Sequence, residues 1–270
     1  MSKSSEIEKF ESRFSTKVKT IAAVTGPSGF GAGKGGKDVM WTASMDLIAW
    51  KDLENGGQVV VEERSLEKLA DDEEWKNTVQ NCLTNDSVVK LKIRMSEKSF
   101  MLVEVVDTSY KDPELEAVLA EALKPVFYDD EVFGRFELDK RVKTFEKDVE
   151  WAGEEATISF DLDEDEVMKD ALETGHKLFA DQEAWDKKIR EFAADELVEL
   201  ANDWLQDKED AEVDEITKEM FMDLMEIDTI CLNPEGDFNI YFYDGDMFWG
   251  HCIIVDGNIN GEFESADIAG

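Results

Sequence analysis

The residues of this chain best suited to chemistry sit near its C-terminal end. His251 follows Trp249 and Gly250 and comes shortly after Asp244 and Asp246. An imidazole beside carboxylates is what a general base requires, because a carboxylate orients the ring and stabilises its protonated form. His251, Asp244 and Asp246 are therefore the candidate catalytic set of a small-molecule or metal-dependent enzyme. The competing reading is a hydrogen-bonded structural histidine. No second motif favours catalysis, since G-x-S-x-G, H-E-x-x-H and C-x-x-C patterns are all absent. His251 and its neighbour Cys252 point to opposite faces of a strand and cannot chelate one metal together.

A second candidate is a cation loop. Asp256, Asn258 and Asn260 occupy alternate positions, Gly261 follows, and Asp267 stands at position twelve. Oxygen ligands at that spacing suit calcium. The twelfth ligand is Asp where a longer Glu is usual, and no helices flank the segment, so an ordinary Asn-Gly turn is the main expectation. Gly31-Ala32-Gly33-Lys34-Gly35-Gly36 matches G-x-G-x-x-G. A phosphate site needs a helix immediately afterwards, but Val39, Trp41, Ala43, Met45 and Leu47 alternate as in a strand. A hairpin loop is expected there, and no cofactor.

Charge is the broadest signal. The chain holds 29 basic and 65 acidic side chains, a net charge of −36. Residues 128–270 carry 43 acids and 12 bases, a net of −31, against −5 for residues 1–127. Such a field repels nucleic-acid phosphates and anionic membranes and attracts basic proteins or cations. The acids most available to a partner are those on one long helix: Glu183, Asp186, Asp195, Glu196, Glu199, Asp203 and Asp207.

These residues need a framework to hold them. Two domains are expected, 1–127 and 128–270. The first reads as strands over 14–24, 39–50 and 58–62, a helix over 65–83 capped by Ser65, strands over 88–95 and 100–106, and a helix after Asp112-Pro113. That order also fits an OB-type barrel. An OB-like domain with Lys17, Lys19, Lys90, Lys92 and Arg94 beside Trp41, Trp50 and Phe100 suggests single-strand binding, a minor reading beside so acidic a neighbour. The second domain reads as strands over 134–138, 145–151 and 156–162, helices over 165–180, 182–206 and 214–225, then strands over 228–232, 238–243 and 248–255. An α+β fold follows: a small β-rich N-terminal domain, then an antiparallel sheet with an inserted helical cluster. Three cysteines, an N-terminus without an apolar leader and the lack of a spanning apolar run lead us to expect a cytoplasmic protein.

The second half resembles the bacterial family known as domain of unknown function 2262. The resemblance rests on Phe133-Gly134-Arg135-Phe136-Glu137-Leu138-Asp139, then Phe145, Trp151, Gly153 and Trp185. Asp244-Gly245-Asp246-Met247-Phe248-Trp249-Gly250-His251 and Ala266-Asp267-Ile268-Ala269-Gly270 complete it. It implies no particular activity. By analogy, small acidic α+β bacterial proteins resemble immunity proteins of toxin systems. The leading expectation is a non-catalytic module, an immunity or inhibitor protein that binds a basic partner.

Overall fold

The computed structural model describes residues 2–54, 56–207 and 213–270. The chain divides into two compact units, Met1–Lys124 and Pro125–Gly270. Val126 and Phe127 therefore fall in the second unit, where Val126 accepts the Leu138 N–H and Phe127 opens a strand. Among the described residues no helix is long and apolar enough to cross a membrane.

The first unit contains α1 (Lys3–Glu11), β1 (Val18–Thr25), β2 (Gly31–Gly33), β3 (Trp41–Asp52) and β4 (Arg64–Ala70). Helix α2 (Asp72–Glu74) continues as a π-helical turn, Trp75–Val79, before β5 (Val88–Met95), β6 (Ser99–Asp107) and α3 (Pro113–Ala122). Strand β3 makes the closure. Trp41–Leu47 pairs with β4, and Leu47–Asp52 pairs with β1. β1 also pairs with β5, β5 with β6, and β6 runs parallel to β4, so five strands form a barrel. The helix lies between its third and fourth strands, the OB-type arrangement that the element order suggested. Period-two alternation sends Ala43, Met45, Leu47 and Ala49 inward and leaves Thr42, Ser44 and Asp46 outside.

Two expectations fail in this unit. Residues 65–83 are not one helix. The spacing of Leu66, Leu69 and Ala70 imitates a helical stripe, but pairing with β3 on one side and β6 on the other makes this stretch a strand. The helix starts only after Asp71, which accepts the Glu73 and Glu74 N–H groups while Glu74 reaches back to the Asp71 N–H. Residues 58–62 form no full strand, only a bridge between Val60 and Trp50.

The second unit has β7 (Phe127–Asp130), β8 (Gly134–Asp139), β9 (Thr144–Trp151) and β10 (Glu154–Asp161), then α4 (Asp165–Phe179), α5 (Gln182–Gln206) and α6 (Lys218–Leu224). Strands β11 (Glu226–Leu232), β12 (Asp237–Tyr243), β13 (Cys252–Asn258) and β14 (Glu262–Ala269) follow. Eight strands form one sheet in the order β14-β13-β12-β11-β10-β9-β8-β7. β10 and β11 are parallel, and a parallel pair needs a crossover, which the three helices supply. The core lies between those helices and one sheet face, with Phe160, Ile230, Phe242 and Ile253 packed in one cluster with Ile189, Ala193 and Leu197. Gly175 lets α4 approach closely: a Cβ there would stand 2.6 Å from Leu232 Cδ1.

The fold is thus α+β, a β-barrel followed by a sheet with inserted helices. The edge strands β7 and β14 escape the sequence reading. The third helix begins later than expected, at the Thr217 cap. The strand expected from Phe248 begins only at Cys252, because residues 244–251 are a structured loop.

Candidate functional site

That loop joins β12 to β13 and contains the candidate catalytic set. Asp244 is buried, and its carboxylate is fully occupied by backbone. Oδ1 accepts the Asp246 N–H at 3.1 Å, and Oδ2 accepts the Phe248 and Gly250 N–H groups at 2.6 and 3.1 Å. Gly245, Asp246, Trp249 and Gly250 all have positive φ, with Trp249 at 59°. A bulky aromatic in the left-handed region costs on the order of 1–3 kcal/mol and persists only when its surroundings enforce it. Phe248 is buried beneath the loop, whereas Trp249 is 54% exposed.

Among the described residues, no hydrogen bond joins His251 to that carboxylate. Its Nδ1 lies 2.6 Å from the Phe248 carbonyl oxygen, which can only accept, so Nδ1 carries the proton. Its ring stands edge-on to Trp204 at 5.3 Å. The structure therefore gathers His251, Asp244 and Asp246 into one loop, where Asp244 shapes backbone rather than orienting an imidazole.

The acids assigned to a partner lie on α5. Glu183, Asp195, Glu196, Glu199, Asp203 and Asp207 are exposed there. Asp186 is a correction. Its side chain is only 16% exposed, and it accepts from Arg190 Nε at 2.9 Å and from the Trp151 indole at 3.0 Å. The i,i+4 spacing that puts Arg190 beside it turns both toward the sheet. Arg190 continues to Glu154 Oε1 at 2.6 Å and to the carbonyls of Met222 and Met225. Asp195 is partly neutralised by Lys218 at 2.5 Å.

A larger acidic surface was not singled out from the sequence. The helices cover one face of the second unit's sheet, and polar side chains line the other. One row crosses every strand in register: Phe127, Glu137, Glu146, Ser159, Cys231, Asn239, Asp256 and Ser265. The next row holds Asp148, Thr157, Thr229, Tyr241, Ile254 and Asp267. Glu137 stands directly opposite Glu146, and Glu150 directly opposite Glu155. Like charges so placed destabilise a sheet. Among the described residues, salt bridges join Arg135 to Asp129, Arg141 to Asp139 and Arg190 to Glu154, but none reaches Asp148, Glu150 or Glu155.

The β10–β11 ladder begins at the Thr157–Thr229 pair, and β11 is bulged at Asp228 against β12. A cleft of about 610 Å³ lies beside this start of the two strands. Asp148, Glu150, Glu155, Asp228 and Tyr243 line it. The Tyr243 hydroxyl donates to Asp228 Oδ1 at 3.0 Å, and this bond and the carboxylate's charge push the phenol's pKa up. Burial, then the charges of Asp139 and Asp148, push Glu146 above its ordinary value. Burial likewise raises the Cys231 thiol, which accepts from Ser159 Oγ at 3.3 Å. Such a cleft accommodates a guanidinium or ammonium group. Alternation in β9, with Phe145 and Trp151 inward and Glu146, Asp148 and Glu150 outward, was the signal that could have revealed it.

The calcium-like segment is a β-hairpin. Asp256 accepts from Asn239 and from Ser265 Oγ, the latter at 2.9 Å. Asn258 Oδ1 accepts from the Asn260 side chain and backbone. Asp267 stands opposite Ile254 in β14, away from the turn, so the four candidate ligands do not converge. No group of three His, Cys, Asp or Glu side chains among the described residues could hold a metal ion.

In the barrel, Gly31–Gly33 form β2 and pair with β3, so no helix follows the glycine-rich segment. The basic cluster is largely engaged. Lys19 pairs with Asp52 at 2.9 Å, Lys92 with Glu104 at 2.7 Å and Arg94 with Glu11 at 2.8 Å, while Lys90 lies over the Tyr110 ring. Trp50 packs edge-on against the buried Phe100, and Trp41 donates to Asp72. The stacking candidates Trp50 and Phe100 belong to the barrel core.

Comparison with known families agrees with this division. The family described as "Uncharacterized protein conserved in bacteria (DUF2262)" matches residues 130–268. The family described as "Domain of unknown function (DUF7021)" matches residues 6–122. No curated protein matches the chain significantly.

Proposed function

We propose that this chain, which belongs to the bacterial family DUF2262, is a non-catalytic protein-binding module that engages a basic partner through its second unit. The observation that carries this reading is the sheet face opposite the helices. It opposes glutamates across neighbouring strands, leaves Asp148, Glu150 and Glu155 without ion pairs among the described residues, and gathers them around a cleft. A fold that tolerates this self-repulsion when free recovers it when cationic groups settle there. Complementary charge also speeds encounter and rejects acidic competitors. The exposed acids of α5 extend the same field. An inhibitor or immunity role fits this chemistry, with the acidic surface occluding the working surface of a basic protein.

The test is retention of basic proteins by the immobilised full chain at low and moderate salt, beside the double variant Glu150→Lys/Glu155→Lys. The reading expects salt-sensitive retention that the variant loses. Absence of any basic protein at low salt would remove its support.

A further inference from the structure

We infer that Trp249, with Trp204 and His251, is a preformed cation–π site for a guanidinium or ammonium group of the basic partner, an inference that rests on the reading above. Trp204 lies in the last turn of α5, and Trp249 leans on it with ring centroids 4.9 Å apart at 58°. His251 stands against the same ring at 81°. Three aromatic rings thus meet at a surface where Trp249 remains more than half exposed.

The backbone beneath is fixed. One carboxylate oxygen of Asp244 holds the N–H groups of both neighbours of Trp249, Phe248 and Gly250. The indole is therefore presented by a rigid loop in a conformation that glycine would adopt without strain. Stability alone would favour a small residue at such a position, so a large exposed ring held there points to recognition. A rigid ring also loses little freedom on binding.

The surroundings select a cation. The C-terminal end of the 25-residue α5 carries the negative end of its dipole. Asp207, three residues after Trp204 and therefore on the adjoining helix surface, is exposed, as is Asp203. Tryptophan is the best ring for a cation–π contact. Among the described residues, the protein's own cations lie over Phe10, Phe14, Trp41, Tyr110, Phe127, Trp185 and Phe242, and none lies over Trp204 or Trp249.

The experiment is a tryptophan-fluorescence titration of the full chain with an arginine-rich peptide and with its citrulline counterpart, which keeps shape and hydrogen bonding but lacks charge. The arginine peptide should bind about 5- to 30-fold more tightly in the Trp249-dependent part of the signal. Trp249→Gly should weaken arginine-peptide binding, followed by calorimetry, by a similar factor while leaving the thermal midpoint unchanged or higher. Trp249→Phe should retain part of the affinity. Equal binding of arginine and citrulline peptides would overturn the inference, as would undiminished binding by Trp249→Gly. Binding that survives Trp249→Gly but fails in Glu150→Lys/Glu155→Lys would leave the basic-partner reading standing without this site. No arginine-peptide binding by the parent chain at low salt would remove both.

Discussion

Arg190 Nη2 lies 2.6 Å from Glu154 Oε1, and the second oxygen of that carboxylate accepts the Ile227 N–H at 3.3 Å. One guanidinium on α5 therefore fixes both the start of β10 and the start of β11, where the acidic cleft opens. The same guanidinium lies over Phe242 and holds Asp186. Removing it strands two carboxylates, one of them largely buried. Arg190→Met should cost about 3 kcal/mol, at the lower end for a broken buried pair because Glu154 is 42% exposed. Denaturant unfolding measures it, and a loss below about 1 kcal/mol would mean the network is dispensable.

The opposed glutamates give a prediction of opposite sign. Glu155→Lys turns the Glu150–Glu155 pair into an attractive cross-strand pair. It should stabilise the second unit by roughly 0.2–1 kcal/mol while weakening a basic partner. A variant that is both less stable and equally tight in binding would contradict the assignment of this face.

Glu146 makes the stability of the sheet depend on pH. Its folded pKa is raised, first by burial and then by Asp139 and Asp148. The folded state therefore holds its proton more tightly, and stability falls as pH rises through the interval between the unfolded and folded pKa values. Glu146→Gln should raise stability at neutral pH by up to about 1 kcal/mol, and the gain should vanish below about pH 4. Thermal melts at both pH values decide it, and a gain that persists in acid would point to packing instead.

Asp130 has the opposite sign. Burial opposes its ionisation, but the Phe133 N–H, His176 and the Val132 N–H outweigh that effect and lower its pKa. The stability it contributes is present above the unfolded value near 3.9 and is lost as pH falls through the folded one. Asp130→Asn should be destabilising at pH 7 and close to neutral in strong acid, as unfolding at the two pH values would show.

Much of this fold is legible in period and punctuation. The Asp112-Pro113 start of α3, the apolar stripe of α5 and the alternation of β9 and β12 all follow from the chain itself. β4 was hidden because Leu66, Leu69 and Ala70 fall at the i, i+3, i+4 spacing of a helix, and only pairing with β3 and β6 makes the stretch a strand. The site was less legible. Asp244 and His251 read as acid and base because of their type, yet the distances show a backbone clamp and a carbonyl-bound imidazole. Asp186 belongs to α5's acids in sequence, but its partners face inward. The acidic rows across the sheet depend on register between distant strands, which composition signals only as net charge.

The most direct test is hydrogen exchange of the full chain at low salt, with and without an arginine-rich peptide. The account expects slowed exchange in β9, the start of β10, and around Asp228 and Tyr243, reversed by added salt. No change anywhere in residues 125–270, or protection confined to residues 2–124, would contradict it.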